Sequence, residues 1–255
     1  RDLHSFPTRR SSDLYRTYFH YTVTAYGKEI EPGVPSIDES IKTLIELSEL
    51  VGRQRVAWRY DPVLLTEKYT IEKHFETFEY MAEKLAPYID RCIFSFVEMY
   101  RRLENNMPEL IPMTEADKER LAEGLGRIAR KYAVRIQTCG TNGDYGRYGI
   151  HSSGCATLEI LGAANHCTFR EIKHKGLREG CHCIESRDIG AYDTCLNGCK
   201  YCYANKNPQK AIENFQYCNP DSPILLGEIK DTDIIIPGNQ KSLLKSDPNQ
   251  ISLFE

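Results

Sequence analysis

The chain alternates between short β-branched or aromatic runs and longer stretches whose apolar residues recur at intervals of three and four. Tyr18 to Ala25 (Tyr-Phe-His-Tyr-Thr-Val-Thr-Ala) reads as a strand, closed by Tyr26-Gly27-Lys28. Ser36 then caps a helix that keeps Ile37, Ile41, Leu44, Ile45 and Leu47 on one face and ends at Gly52. Val56 to Tyr60 forms a second strand ended by Asp61-Pro62. Thr70 caps the next helix, whose apolar face is Ile71, Phe75, Phe78, Ala82 and Leu85. His74 lies on that helix among charged neighbours and is expected at the surface. Cys92 to Glu98 is the third strand. Thr114, with Asp117 three residues on, opens a helix along Leu121, Leu125, Ile128 and Tyr132, and Val134 to Thr138 is the fourth strand.

Strand ends near Ala25, Arg59, Glu98 and Thr138 recur every ~35 to 40 residues with a helix between each pair, which is the pattern of parallel βα units. The fold class is therefore α/β. A parallel (βα) barrel, or a partial TIM-like barrel over residues 15–175, fits better than a doubly wound sheet, because no glycine-rich phosphate turn follows any strand. Residues 1–14 show no apolar periodicity and do not begin with Met. They resemble translated sequencing adapter, so the natural start is expected further upstream and the barrel is expected to be truncated. From about Gly176 the periodicity fails. Residues 176–227 read as a loop-rich cysteine module and residues 228–255 as a flexible polar tail.

Composition adds exclusions. With 41% hydrophobic residues the chain can bury an ordinary core, and a formal charge of −3 provides no basic stripe for phosphates. No run of 18 apolar residues and no secretory leader is present, so a cytoplasmic protein without membrane spans is expected. Ten cysteines in such a chain point to metal or redox chemistry. None precedes Cys92, whereas Cys181, Cys183, Cys195, Cys199 and Cys202 crowd together.

Cys195, Cys199 and Cys202 form a C-x3-C-x2-C set in the segment Asp193-Thr-Cys-Leu-Asn-Gly-Cys-Lys-Tyr-Cys-Tyr-Ala-Asn205. An iron–sulfur cubane takes one thiolate per iron, so three cysteines on one tight turn can grip three corners and leave the fourth iron open. Gly198 allows the sharp turn and lets amides approach the sulfurs. The loop resembles that of the radical S-adenosylmethionine enzymes, including Tyr201 before the third cysteine, and its Cys-Lys-Tyr-Cys-Tyr run looks like the loop of spore photoproduct lyase. That resemblance implies a 4Fe-4S cluster, S-adenosylmethionine chelated at the open iron, a deoxyadenosyl radical that abstracts hydrogen from the substrate, and a reductant such as ferredoxin or flavodoxin. It also implies that Cys195, Cys199, Cys202 and Tyr201 surround the cofactor.

Two departures stand beside it. In that superfamily the cysteine loop follows the first barrel strand, whereas here it follows all the recognisable strands. Cys181 and Cys183 also lie just upstream and could close the open corner. A zinc site on Cys181, Cys183, Cys199 and Cys202 is the alternative, with a structural or partner-binding role, although the first pair is C-x-C and Cys195 would be idle.

Thr24-Ala25-Tyr26-Gly27-Lys28, Trp58-Arg59-Tyr60-Asp61-Pro62, Ser95-Phe96-Val97-Glu98-Met99-Tyr100 and the cysteine loop together resemble one bacterial family, domain of unknown function 1848, from about Tyr15 to Gly227. The resemblance implies two further βα units before this start, the first with an arginine-rich loop, and brings no established substrate.

Functional groups gather where parallel strands end. Arg59, Asp61, Glu98 and Arg101 stand at such ends and could bind a polar substrate or the cofactor, or only pair across the rim. Asp61 and Glu98 could alternatively serve as acid and base in a metal-independent enzyme. Cys139, His151 and Cys155 could add a second metal site. His166, Cys167 and His182 receive no role. Gln250-Ile-Ser-Leu-Phe254 looks like the peptide with which bacterial DNA-processing proteins dock on the sliding clamp, which would favour a nucleic-acid substrate.

Overall fold

In a computed structural model, residues 16–141, 143–171, 181–238 and 242–245 are described. The elements run β1 (Phe19–Thr22), α1 (Ile37–Val51), β2 (Val56–Val63), α2 (Ile71–Leu85), β3 (Arg91–Phe96), α3 (Arg101–Asn106), α4 (Glu115–Lys131), β4 (Arg135–Thr138), β5 (Ile150–Ser152), α5 (Leu158–Asn165) and α6 (Pro208–Gln216). All four strand pairings are parallel and the sheet order is β1-β2-β3-β4-β5. Among the described residues the order never reverses, so no switch point of the doubly wound kind is seen there.

The helix starts follow their capping chemistry. The Ser36 hydroxyl accepts from the Glu39 amide and the Glu39 carboxylate accepts from the Ser36 amide, and Thr114 and Asp117 repeat this reciprocal pair. The Thr70 hydroxyl accepts from the Lys73 amide.

One sheet face packs on the helices. Trp58 is fully buried, stacks on Phe78 of α2 with ring centroids 4.7 Å apart, and donates its indole N–H to Val23 O at 2.9 Å. The other face is mostly polar, with Ala57 and Ile93 as its buried apolar members. Register aligns Thr22, Arg59, Ile93, Gln137 and His151 in one row, and His20, Ala57, Arg91 and Arg135 in the next.

The sheet is coiled around this polar face. Four strand spacings would hold the two edges of a flat sheet ~19 Å apart. Yet His20 on β1 donates from Nε2 to Cys155 O, beyond β5, at 3.0 Å, and Arg16 Nη1 donates to Asn165 O at 3.2 Å. Among the described residues no ladder joins β1 to β5.

Several expectations are corrected. β1 is shorter than Tyr18 to Ala25, because beyond Thr22 the chain turns inward and buries Val23 and Ala25 in the core. β2 does not stop at Asp61-Pro62, since a register shift between Tyr60 and Val63 carries the ladder on to Val63↔Phe96. β3 begins one residue before Cys92 and ends two residues before Glu98, and β4 begins one residue after Val134. His74 is not at the surface. It is fully buried, with Nε2 donating to Leu64 O at 2.8 Å and Nδ1 accepting from the Tyr60 hydroxyl at 2.6 Å. It falls between Ile71 and Phe78 on the buried helix face, and its two partners satisfy both ring nitrogens.

β5, α3, α5 and α6 are additions to the expected elements. Residues 242–245 run against Thr168–Arg170, with Arg170 N donating to Leu243 O at 2.7 Å and Lys245 N to Thr168 O at 2.9 Å. Residues 1–14 and the Gln250–Phe254 peptide lie outside the described residues. Among the described residues, no helix is long and apolar enough to cross a membrane.

Candidate metal centre

The polar face carries an ion pair of Arg59 with Asp61, whose side chains are 32% and 17% exposed. Ser95 Oγ donates to the other Asp61 oxygen. Burial first, and the Arg59 charge second, hold His20 down to about 4, so it stays neutral as it bonds Cys155 O. Of the four strand-end residues expected to gather, Arg59 and Asp61 meet. Glu98 and Arg101 lie exposed just beyond β3, with Arg101 opening α3.

At the adjoining strand ends three thiols converge. Cys139 follows β4, Cys155 follows β5, and Cys183 comes from the segment after them. Cys139 Sγ is 3.9 Å and Cys155 Sγ 3.3 Å from Cys183 Sγ, and all three sulfurs lie within 4.8 Å of one another. Among the described residues this is the one group of three such ligand atoms drawn so close, and it could hold a metal ion. Backbone geometry sets it. Ile184 N donates to Ala156 O at 2.9 Å and Cys155 N donates to Cys183 Sγ at 3.1 Å. A Cβ on Gly154 would fall 2.4 Å from His182 O, so only glycine lets the two segments lie this close. Hydrogen bonds from Cys155 and Cys183 lower the Cys139 thiol, while contacts with Cys139 and Cys183 and burial push Cys155 up. His151, expected beside Cys139 and Cys155, is exposed, and Cys183 occupies the third place.

The C-x3-C-x2-C loop docks elsewhere, on the turn that follows β1. Gly33 N donates to Asn197 O at 2.8 Å and Lys200 N to Ile30 O at 3.0 Å. The Tyr201 hydroxyl donates to Glu31, Tyr100 OH donates to Tyr201 O at 2.9 Å, and Arg102 donates to Asn205 O. Within the loop Cys202 N donates to Cys199 O at 3.0 Å, and Gly198 takes a left-handed φ of 63°. Burial, then the Glu31 charge, then Cys202 and Cys195 push Cys199 up to about 12. A cavity of about 410 Å³ opens here, lined by Cys195 and Cys199 with Arg102, Lys200 and Lys206. These three thiols are not among the sulfurs within single-ion spacing. A cubane does not ask for that, because it places each thiolate on its own iron and so spreads the sulfurs wider than one ion does.

Sequence reasoning missed Glu31, Tyr100 and Arg102 as anchors of this loop, and the partnership of Cys183 with Cys139 and Cys155. The cysteines themselves were the available signal for the second, whereas nothing local marks Glu31. Neither curated proteins nor solved structures yield a match. The family model described as a domain of unknown function (DUF1848) matches residues 5–204, which take in all five strands and both cysteine groups. With so much of the chain covered, this protein belongs to the DUF1848 family.

Proposed function

We propose that this protein is an iron–sulfur enzyme of the radical S-adenosylmethionine type, with its cluster on Cys195, Cys199 and Cys202. The observation that carries the reading is where the loop sits. Although it lies far down the chain, it docks on Ile30, Glu31 and Gly33, just after β1, and on Tyr100 and Arg102, just after β3. Those contacts set the loop against segments that follow β1 and β3, on the side of the sheet where parallel βα folds assemble their chemistry, and this supports the reading. We read the coiled, unreversed sheet as part of a (βα) barrel wall.

Three cysteines on one short loop, of which Cys195 and Cys199 line an open cavity, fit a cubane held at three corners. Bound there, the cluster would supply an open iron to chelate S-adenosylmethionine and an electron to cleave its sulfonium. The chain's own part is positioning. Arg102, Lys200 and Lys206 line the cavity; Lys200 is paired with Glu109 at 2.6 Å, and Arg102 and Lys206 would complement a carboxylate. Tyr201 locks the loop to Glu31. The Arg59–Asp61–Ser95 group on the polar face, with Glu98 and Arg101 beyond β3, would orient a polar substrate. A small reductant such as ferredoxin or flavodoxin would deliver the electron. The alternative zinc site on Cys181, Cys183, Cys199 and Cys202 has less support, because Cys183 is already engaged by Cys139 and Cys155.

The test is anaerobic purification followed by iron and sulfide analysis and assay of 5′-deoxyadenosine from S-adenosylmethionine after reduction. Iron, sulfide and deoxyadenosine are expected, and all three should be lost in Cys199→Ala. A colourless, iron-free protein, or turnover that survives Cys199→Ala, would refute the reading.

A further inference from the structure

The cluster proposed above leaves Cys139, Cys155 and Cys183 unused. Their sulfurs lie 3.3 Å and 3.9 Å apart in two pairs, and within 4.8 Å throughout. Tetrahedral zinc holds thiolates at about 2.3 Å, which by geometry sets neighbouring sulfurs about 3.8 Å apart. The trio brackets that spacing. A cubane would need the sulfurs spread onto separate irons, and a disulfide would close one pair to about 2.05 Å and leave the third thiol idle.

We propose that Cys139, Cys155 and Cys183 bind one zinc ion, separate from the cysteine loop. Each ligand comes from a different segment, and each segment is fixed without the metal. Cys139 continues β4. Gln137 Nε2 donates to Gly154 O at 3.0 Å and His20 holds Cys155 O at 3.0 Å. Ile184 N ties the Cys183 segment to Ala156 O at 2.9 Å. Second-shell bonds of this kind orient ligands before metal arrives. With zinc bound, the thiols that still carry protons release them to solvent, and the centre of three thiolates and Zn²⁺ carries one net negative charge. The Arg59 guanidinium, paired with Asp61, also interacts electrostatically with Cys155 and Cys139. Three protein ligands are the number zinc takes where water fills the fourth position.

The experiment measures zinc and iron in the full chain purified under reducing, chelator-free conditions. One zinc per chain is expected. Cys155→Ser and Cys183→Ser should weaken zinc binding at least tenfold while keeping the iron of the loop, and Cys199→Ser should do the reverse. Because serine variants can misfold, the wild-type protein is also alkylated with iodoacetamide. Cys139, Cys155 and Cys183 should resist until a chelator removes the zinc and then react together. Free reactivity before chelation, a Cys155–Cys183 disulfide, iron in place of zinc at these cysteines, or zinc retained in Cys155→Ser would each overturn the proposal. The iron measurements report separately on the loop, so loss of one centre is distinguishable from loss of the other.

Discussion

The Tyr201 hydroxyl donates to the carboxylate of Glu31, a contact that spans 170 residues of chain and joins the cysteine loop to the turn after β1. The same Glu31 oxygen accepts from Thr24 Oγ1 at 2.7 Å. Burial pushes Glu31 up and these two donors oppose it, while burial and the Glu31 charge raise Tyr201 so that its proton stays in place.

Tyr201→Phe keeps the ring, which meets Tyr26 edge-on at a centroid distance of 6.1 Å, and removes only the donor. Leaving a buried carboxylate short of one partner costs about 1–3 kcal/mol. Urea denaturation should show that loss, and iron retention by the loop should fall with it. A variant with unchanged midpoint and iron content would mean that Glu31 does not anchor the loop.

His74 predicts an acid weakness unrelated to either cysteine group. Burial holds it down to about 4, against an ordinary value of 6.5. Between those values the unfolded chain binds a proton that the folded protein refuses, so stability falls as pH falls. The slope is about 1.4 kcal/mol per pH unit, or about 3 kcal/mol over the window, and it levels off once the folded protein also protonates. Comparing the pH profiles of the wild type and His74→Leu isolates this contribution from that of the carboxylates. The variant starts less stable, with the Tyr60 hydroxyl unpaired, but should lose less between pH 6.5 and 4.

The strong elements were legible because local chemistry and periodicity agreed. Ser36 with Glu39 and Thr114 with Asp117 announce helix starts by reciprocal capping, and the spacing of Ile71, Phe78, Ala82 and Leu85 announces a buried face. β5 was not legible, since Ile150-His151-Ser152 has one buried residue and no alternation to count. α5 is short and built from Gly162, Ala163 and Ala164 beside its leucines, while α6 is short and buries only Ala211, leaving Ile212 and Phe215 exposed. His74 was misplaced because its charged neighbours mask a position on the buried face. The cysteine loop could be read from spacing alone, as its three thiols share one turn. The convergence of Cys139, Cys155 and Cys183 could not, because it depends on two strand ends and a later segment meeting in space.

Trp58 tests the packing between sheet and helices. It is fully buried, stacked on Phe78, and its indole N–H is the partner of Val23 O at 2.9 Å. Trp58→Phe should cost less than Trp58→Ala, since it keeps part of the stack and loses the hydrogen bond, whereas the alanine also opens a cavity, for a total of about 3–5 kcal/mol. Chemical denaturation of the two variants measures the difference. Equal and small losses would place the core elsewhere.

Gly33 separates the docking of the cysteine loop from the stability of the sheet. Its amide donates to Asn197 O at 2.8 Å, and a Cβ there would fall 2.7 Å from Asn197 Cα and 2.8 Å from Leu196 O. Both obstacles are backbone and cannot rotate aside, so in Gly33→Val the loop must back away while the strands, which Gly33 does not touch, stay in place. Gly27→Ala is the control, because its added Cβ meets only the end of the Glu29 side chain. Gly33→Val should keep the far-ultraviolet spectrum of the wild type, expose Cys199 to thiol reagents and fail to hold iron, while Gly27→Ala retains it. If Gly33→Val binds iron as the wild type does, the contact with the turn after β1 does not position the loop, and the placement of the cluster over the strand ends loses its support.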